Sequence, residues 1–369
     1  MMLRMPSPSD SPSLRPFRSL VSSLVVAFAL ATPILAQAPD VPIRAQTLQG
    51  LRSEDAAIGK QIAALIAADK LATTATVEGW CKQPKPCALE LPKPHTQELT
   101  PPKIAERAQK AHLRVGWCYL CTHCDHWHTA MGCGYALTTD GAIATCAHAL
   151  QRPPMEVRDA RLIVVTADGI VHPVTSVLAC DDDMDAAIVR IDVSAAATPL
   201  VPLPLATDVR PGDRAYCWSR PLEQRDFFGS GMVNRFYLDR DVAEEHGRDS
   251  LPFLAAVRMD VDMPWAPGSS GAALLDHCGN AIGHVSEIRP LSNGMPAPGM
   301  NGAISAAEAA KRQEEADPEL EQPAKIGDLE ARTTMITLHV AVPVRGVQFL
   351  ATAKQAEKPA PAATQPAAK

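Results

Sequence analysis

From about Arg114 to Ala341 the chain is a succession of short apolar runs separated by turn signals, and that rhythm admits few folds. Strands are predicted at Gly134–Thr138, Ala142–Ala147, Arg161–Thr166, Val174–Asp181 and Ala186–Ile191. More follow at Arg214–Ser219, Gly229–Phe236, Phe253–Val261, Gly271–Leu275, Ala281–Glu287 and Thr337–Ala341. The runs are short for helices, and Asp140-Gly141 and Asp168-Gly169 supply hairpin turns between neighbours. Repetition of this kind marks an all-β barrel or sandwich. With aromatic residues at only 4% and 33 prolines, the core must be aliphatic and its connections rich in loops.

The ends of the chain read differently. Arg4, Arg15 and Arg18 lead into the apolar stretch Leu20–Leu30 and then to small residues around Ala36 and Ala38, the pattern of an export signal over residues 1–38. The apolar run is short for a bilayer span, so no stable membrane segment is expected once the signal is cut, and the product is expected to be secreted or periplasmic. Residues 39–113 form an extension, with helical spacing of Ile43, Leu48, Leu51, Ile58, Ile62 and Leu65, a proline-rich linker, and a short helix from Pro102 to about Ala111 capped by Thr100. A main domain is expected over 114–352. It carries a charged insert at 293–334, in which Ser305-Ala-Ala-Glu308 opens a helix, and the Ala/Pro/Lys-rich tail 353–369 is expected to be disordered. Removing the first 36 residues, which carry those three arginines against Asp10, takes the formal charge from −6 to −8. A chain so acidic has no polybasic face for a phosphate backbone, which excludes nucleic acid as the expected partner.

Three fragments carry chemistry. Ala144-Thr-Cys-Ala-His148, Asp183-Met-Asp185 before the apolar Ala186–Ile191, and Pro267-Gly-Ser-Ser-Gly271 supply His148, Asp185 and Ser270 in that order. A serine becomes a nucleophile only when a base takes its proton, and the base keeps one tautomer only when a carboxylate holds its far nitrogen. The two glycines allow a tight turn that presents Ser270 and aims the N–H groups of Gly268 and Ser270 at a developing oxyanion. Each fragment alone has an ordinary structural reading as a strand end, a turn cap or a linker. Their order and context together point to a catalytic set: His148, Asp185 and Ser270, with Gly268 and Ser270 as the oxyanion hole.

Gly132-Cys-Gly-Tyr-Ala-Leu-Thr-Thr-Asp-Gly-Ala-Ile-Ala-Thr-Cys-Ala-His148 also resembles the first barrel of the HtrA-type, trypsin-like serine proteases. Asp183-Met-Asp-Ala-Ala-Ile188 continues the likeness, Arg210-Pro-Gly-Asp213 resembles the entry to the second barrel, and Leu338–Pro343 its closing strand. The resemblance spans about Cys133 to Leu350, without a segment like a PDZ domain after it. It implies two six-stranded antiparallel β-barrels of the chymotrypsin type, a serine endopeptidase acting on protein or peptide substrates through an acyl-enzyme, and no required cofactor. Where that family has Gly-Gly-Pro after the serine, this chain has Gly271-Ala-Ala273. A methyl group at Ala272 in the substrate cleft would favour the alternative, a catalytically weak pseudoprotease that binds peptides or a partner.

Ten cysteines in an exported chain favour disulfides. If Thr138 and Gly141 pair across their turn, positions summing to 279 face each other, and Cys133 lies opposite Cys146. Cys118-Tyr-Leu-Cys-Thr-His-Cys-Asp-His-Trp-His128 leaves three readings open: disulfides, free thiols, or a structural zinc held by Cys121, Cys124, His126 and His128. It is not a haem attachment motif, because Asp125 follows Cys124.

Overall fold

The computed structural model describes residues 48–84, 87–153, 156–196, 198–239, 253–292 and 334–352. The export signal, the 293–334 insert up to residue 333 with its helix at Ser305, and the tail lie outside them. The described residues belong to one compact unit.

Two closed six-stranded antiparallel barrels dominate. The first contains β2 (His112–Cys121), β3 (Trp127–Ala136), β4 (Ala142–Thr145), β5 (Val157–Val165), β6 (Val171–Asp181) and β7 (Ala186–Ile191). Its order is β5-β2-β3-β4-β7-β6, closed by the β5–β6 pairing, and the two-residue β1 (Ala72–Thr73) adds to the outside of β5. The second contains β8 (Arg214–Ser219), β9 (Phe227–Leu238), β10 (Val257–Val261), β11 (Ala273–Leu275), β12 (Ala281–Ser292) and β13 (Thr334–Pro343), in the closed order β10-β13-β12-β11-β8-β9.

The expected strands all appear, Ala186–Ile191 and Arg214–Ser219 with the expected bounds and the others with shifted ends. One expectation is corrected: Phe253–Ala256 is a short helix, α4, and only Val257–Val261 is strand. The whole of β2 went unpredicted, for a physical reason. A strand with one wet face alternates, whereas Val115, Gly116, Trp117 and Cys118 are all buried. Val115 and Trp117 face the barrel interior, while Cys118 lies beneath the helix α1 (Leu48–Ala67) with Ile58 and Ile62.

That helix is more than a spacer. Gln61 grips the β5–β6 hairpin twice, donating to the Gly169 carbonyl at 2.9 Å and accepting from the Val171 N–H at 3.0 Å. Arg225, from the second barrel, pairs with both Glu54 and Asp55. A second helix, α2 (Thr74–Lys82), is capped by the Thr73 hydroxyl, which accepts from the Thr76 N–H at 3.2 Å. The helix α3 (Pro101–Ala111) has Thr100 at its cap position without a side-chain cap bond, so its start rests on the two prolines of its first turn. No described helix is long and apolar enough to cross a membrane.

Aliphatic side chains fill each barrel, and a further layer joins them. Tyr135, Leu137 and Ile188 of the first barrel meet Leu205, Tyr216, Leu275 and Val342 of the second, sealed by Ile104 of α3 and Val347 of α5 (Val344–Thr352). If α1 is part of the fold, Ile62→Ala removes buried contacts at a 3%-exposed site and lowers stability by about 2–5 kcal/mol, read from the urea midpoint. A loss below about 0.5 kcal/mol, the range of ordinary surface substitutions, would show that the helix is a detachable appendage.

Candidate active site

Strand β4 ends at Thr145, and the chain then turns into a single 3₁₀ turn, His148–Leu150, which sets His148 at the rim of the first barrel. Asp185 sits in the tight turn between β6 and β7, with φ at +53° and its N–H bonded to the Asp182 carbonyl at 3.1 Å. A left-handed residue there reverses the chain and swings the carboxylate back toward β4. Asp185 Oδ1 lies 2.9 Å from His148 Nδ1 and also accepts from the His148 N–H at 3.1 Å. The carboxylate therefore fixes both the ring and the backbone of the histidine.

The second barrel encloses that carboxylate. The Ser286 hydroxyl donates to Asp185 Oδ2, and His284 Nε2–H donates to the Asp185 carbonyl at 3.0 Å. Burial opposes the ionised form of Asp185, but the His148 and Ser286 hydrogen bonds outweigh it and hold the acid down at about 2. For His148, burial likewise disfavours the cation, and the Asp185 hydrogen bond and charge overcome it, so its pKa lies above the ordinary histidine value. Neither Ser286 nor His284 was singled out by sequence; both lie in the β12 run Gly283-His-Val-Ser286, which carries no local motif.

Ser270 comes from the loop before β11, which is tied down on several sides. The Cys133 N–H of β3 donates to the Ser270 carbonyl at 2.7 Å, Gly271 N–H donates to Val285 of β12 at 2.7 Å, and Leu222 N–H donates to Pro267 at 2.8 Å. Gly268 and Gly271 take φ values of +97° and +86°, where a side chain is strained. A Cβ on Gly271 would stand 2.1 Å from the Cys133 carbonyl oxygen, so glycine is required by space as well as by torsion. Among the described residues, the N–H groups of Gly268 and Ser270 donate no hydrogen bond. The Ser270 hydroxyl donates to the Ser286 carbonyl at 3.3 Å, and no hydrogen bond to His148 is formed. Ser286 thus touches both halves of the set, Asp185 through its hydroxyl and Ser270 through its carbonyl.

The methyl groups after the serine do not enter the cleft. Ala272 is fully buried in the second barrel with Cys217 and Leu274, and Ala273 is buried between the barrels, which removes the observation behind the pseudoprotease reading.

The ten cysteines are all free thiols in this structure. The hairpin register is as expected, with Tyr135 facing Ala144 and Ala136 facing Ile143. Beyond that point, however, the two cysteines serve the other barrel: Cys133 Sγ donates to Gly268 O at 3.1 Å and Cys146 Sγ to Val285 O at 3.0 Å. Burial raises both thiols, Cys133 to about 12 and Cys146 well above the ordinary thiol value. Of the Cys/His residues, Cys121, Cys124 and His128 come together, while His126 offers Cys124 only its carbonyl.

The trypsin-like peptidase domain family matches residues 132–283, a span that contains His148, Asp185 and Ser270. A Synechocystis protein named as the serine protease HhoA is 27% identical over 167 residues, 44% of this chain and 38% of that protein, so the match spans well under half of that relative's length. A solved HtrA-type protease, AlgW with a tripeptide, shares 16% identity at a TM-score of 0.41, covering 69% of this chain and 64% of its own. The fold assignment rests on the strand order and not on that likeness. Over residues 132–283, then, the chain is similar to trypsin-like peptidase domains.

Proposed function

We propose that this chain is an exported serine endopeptidase, secreted or periplasmic, that cleaves protein or peptide substrates through Ser270, His148 and Asp185. The observation that carries the reading is the half-buried Asp185 carboxylate on His148 Nδ1, joined through Ser286 to a serine whose loop presents two unengaged N–H groups.

In the proposed reaction, Ser270 leaves the Ser286 carbonyl by rotation about its Cα–Cβ bond and turns to His148 Nε2. Its oxygen attacks the scissile carbonyl carbon as His148 takes the hydroxyl proton. The resulting oxyanion accepts from the Gly268 and Ser270 N–H groups, each donor contributing about 3 kcal/mol. His148 then returns the proton to the leaving amine, and water repeats the cycle to release the acid. The Ser286 carbonyl, vacated by the serine, becomes free to accept an N–H of an extended substrate backbone.

Ser270→Ala or His148→Ala is expected to reduce casein cleavage by about 10⁶-fold with the fold intact by circular dichroism, and the double variant to be no worse than either, because such residues act as a unit. Labelling of wild type but not Ser270→Ala by a fluorophosphonate probe checks the nucleophile. Cleavage by Ser270→Ala at near wild-type rate would exclude it.

The pH dependence follows from the histidine. His148 works as a base only when neutral, and its pKa is raised, so activity rises with pH and the acid limb of kcat/KM lies above the ordinary histidine value of about 6.5. Asp185→Asn removes the charge that lifts it. The limb is expected to move down in pH while kcat falls by about 10⁴-fold, as the wrong tautomer is favoured. An unmoved limb would show that Asp185 does not set the His148 proton affinity.

A further inference from the structure

We propose that Cys121, Cys124 and His128 form a binding site for a zinc-class divalent cation at the tip of the β2–β3 hairpin, remote from the serine machinery in role and chemistry. The three donor atoms converge: Cys121 Sγ lies 3.2 Å from Cys124 Sγ, Cys124 Sγ lies 3.0 Å from His128 Nε2, and all three fall within 4.8 Å of one another. A tetrahedral zinc with Zn–S near 2.3 Å and Zn–N near 2.0 Å separates its donors by about 3.6–3.8 Å, so each close pair parts by only about half an ångström to admit the ion. Two thiolates and an imidazole balance a dication and match a soft metal, which hard calcium or magnesium sites do not.

The surroundings hold the donors in place. Tyr119 faces His128 across the β2–β3 ladder, and the two rings stack with centroids 5.4 Å apart, which orients the imidazole. Arg158 of β5 donates to the carbonyls of both Cys121 and Cys124 and pairs with Asp125 at 2.8 Å, so one guanidinium fixes the loop between the cysteines. Support of this kind orients ligands at metal sites. A disulfide between Cys121 and Cys124 would use neither the imidazole nor this clamp. Asp125 is engaged by Arg158, and Cys118 is buried with its thiol donating to the Arg161 carbonyl, so neither competes as a ligand. The fourth position falls to water or to the imidazole of His123 or His126 on the same loop.

The test uses the full chain, purified under reducing conditions and stripped with a chelator, then titrated with Co²⁺ and Zn²⁺ against a chromophoric competitor. One equivalent is expected to bind, with a cobalt–thiolate charge-transfer band that zinc abolishes. Cys124→Ser and His128→Ala should each weaken binding by more than the roughly 10–100-fold typical of losing a supporting group. Cys278→Ser should leave binding unchanged, and His128→Cys should keep the metal and strengthen the thiolate band, which guards against variants that simply misfold. Absence of the cobalt–thiolate band, stoichiometric binding that survives Cys124→Ser, or a Cys121–Cys124 disulfide that forms equally fast with and without zinc would each overturn the proposal. No readout depends on proteolysis, so the site stands or falls apart from the peptidase reading.

Discussion

The contact on which the rest of the site depends is the one between Cys133 and the serine loop. A strand of one barrel donates its N–H to the Ser270 carbonyl of the other at 2.7 Å, and the two backbones press together so closely that neither Gly132 nor Gly271 has room for a methyl group. The loop's shape is therefore not written in its own five residues. It is imposed by a partner strand more than a hundred positions earlier, and it exists only when both barrels are closed and docked. The same seam explains the two buried cysteines, whose weak donors reach the Gly268 carbonyl of the serine loop and the Val285 carbonyl of β12, the latter also accepting from the Gly271 N–H.

Much of this was legible in the sequence, for identifiable reasons. Strands with one wet face announce themselves by alternation, and the Asp140-Gly141 turn fixes the register of its hairpin, which is why Tyr135 and Ala144 could be paired in advance. The three chemical fragments are legible because each sets its polar residue beside a strand end or between turn glycines. What sequence hid is what depends on packing from both sides. Strand β2 lost its alternation because a helix covers the face that would otherwise be wet. Ser286 and His284 lie in an unremarkable apolar run and acquire their roles only when β12 passes behind Asp185.

The Cys/His tip and the brace of the serine loop lie along one strand of the first barrel. Strand β3 begins beside the Cys/His tip, at Trp127 and His128, and reaches Cys133 where the serine loop is braced. Five residues of extended chain, about 16 Å, separate the two. Rigidity at the hairpin tip and precision at the serine are thus properties of a single ladder, held on its other side by β2.

Asp185 adds a constraint of another kind. Its backbone occupies the left-handed region, at φ +53°, where most L-residues suffer a steric penalty and where glycine, asparagine and aspartate are favoured. The position disfavours glutamate without barring it, since Glu223 takes φ +61° elsewhere in the chain. The turn geometry thus biases the residue alphabet toward aspartate at that corner before any question of proton transfer arises.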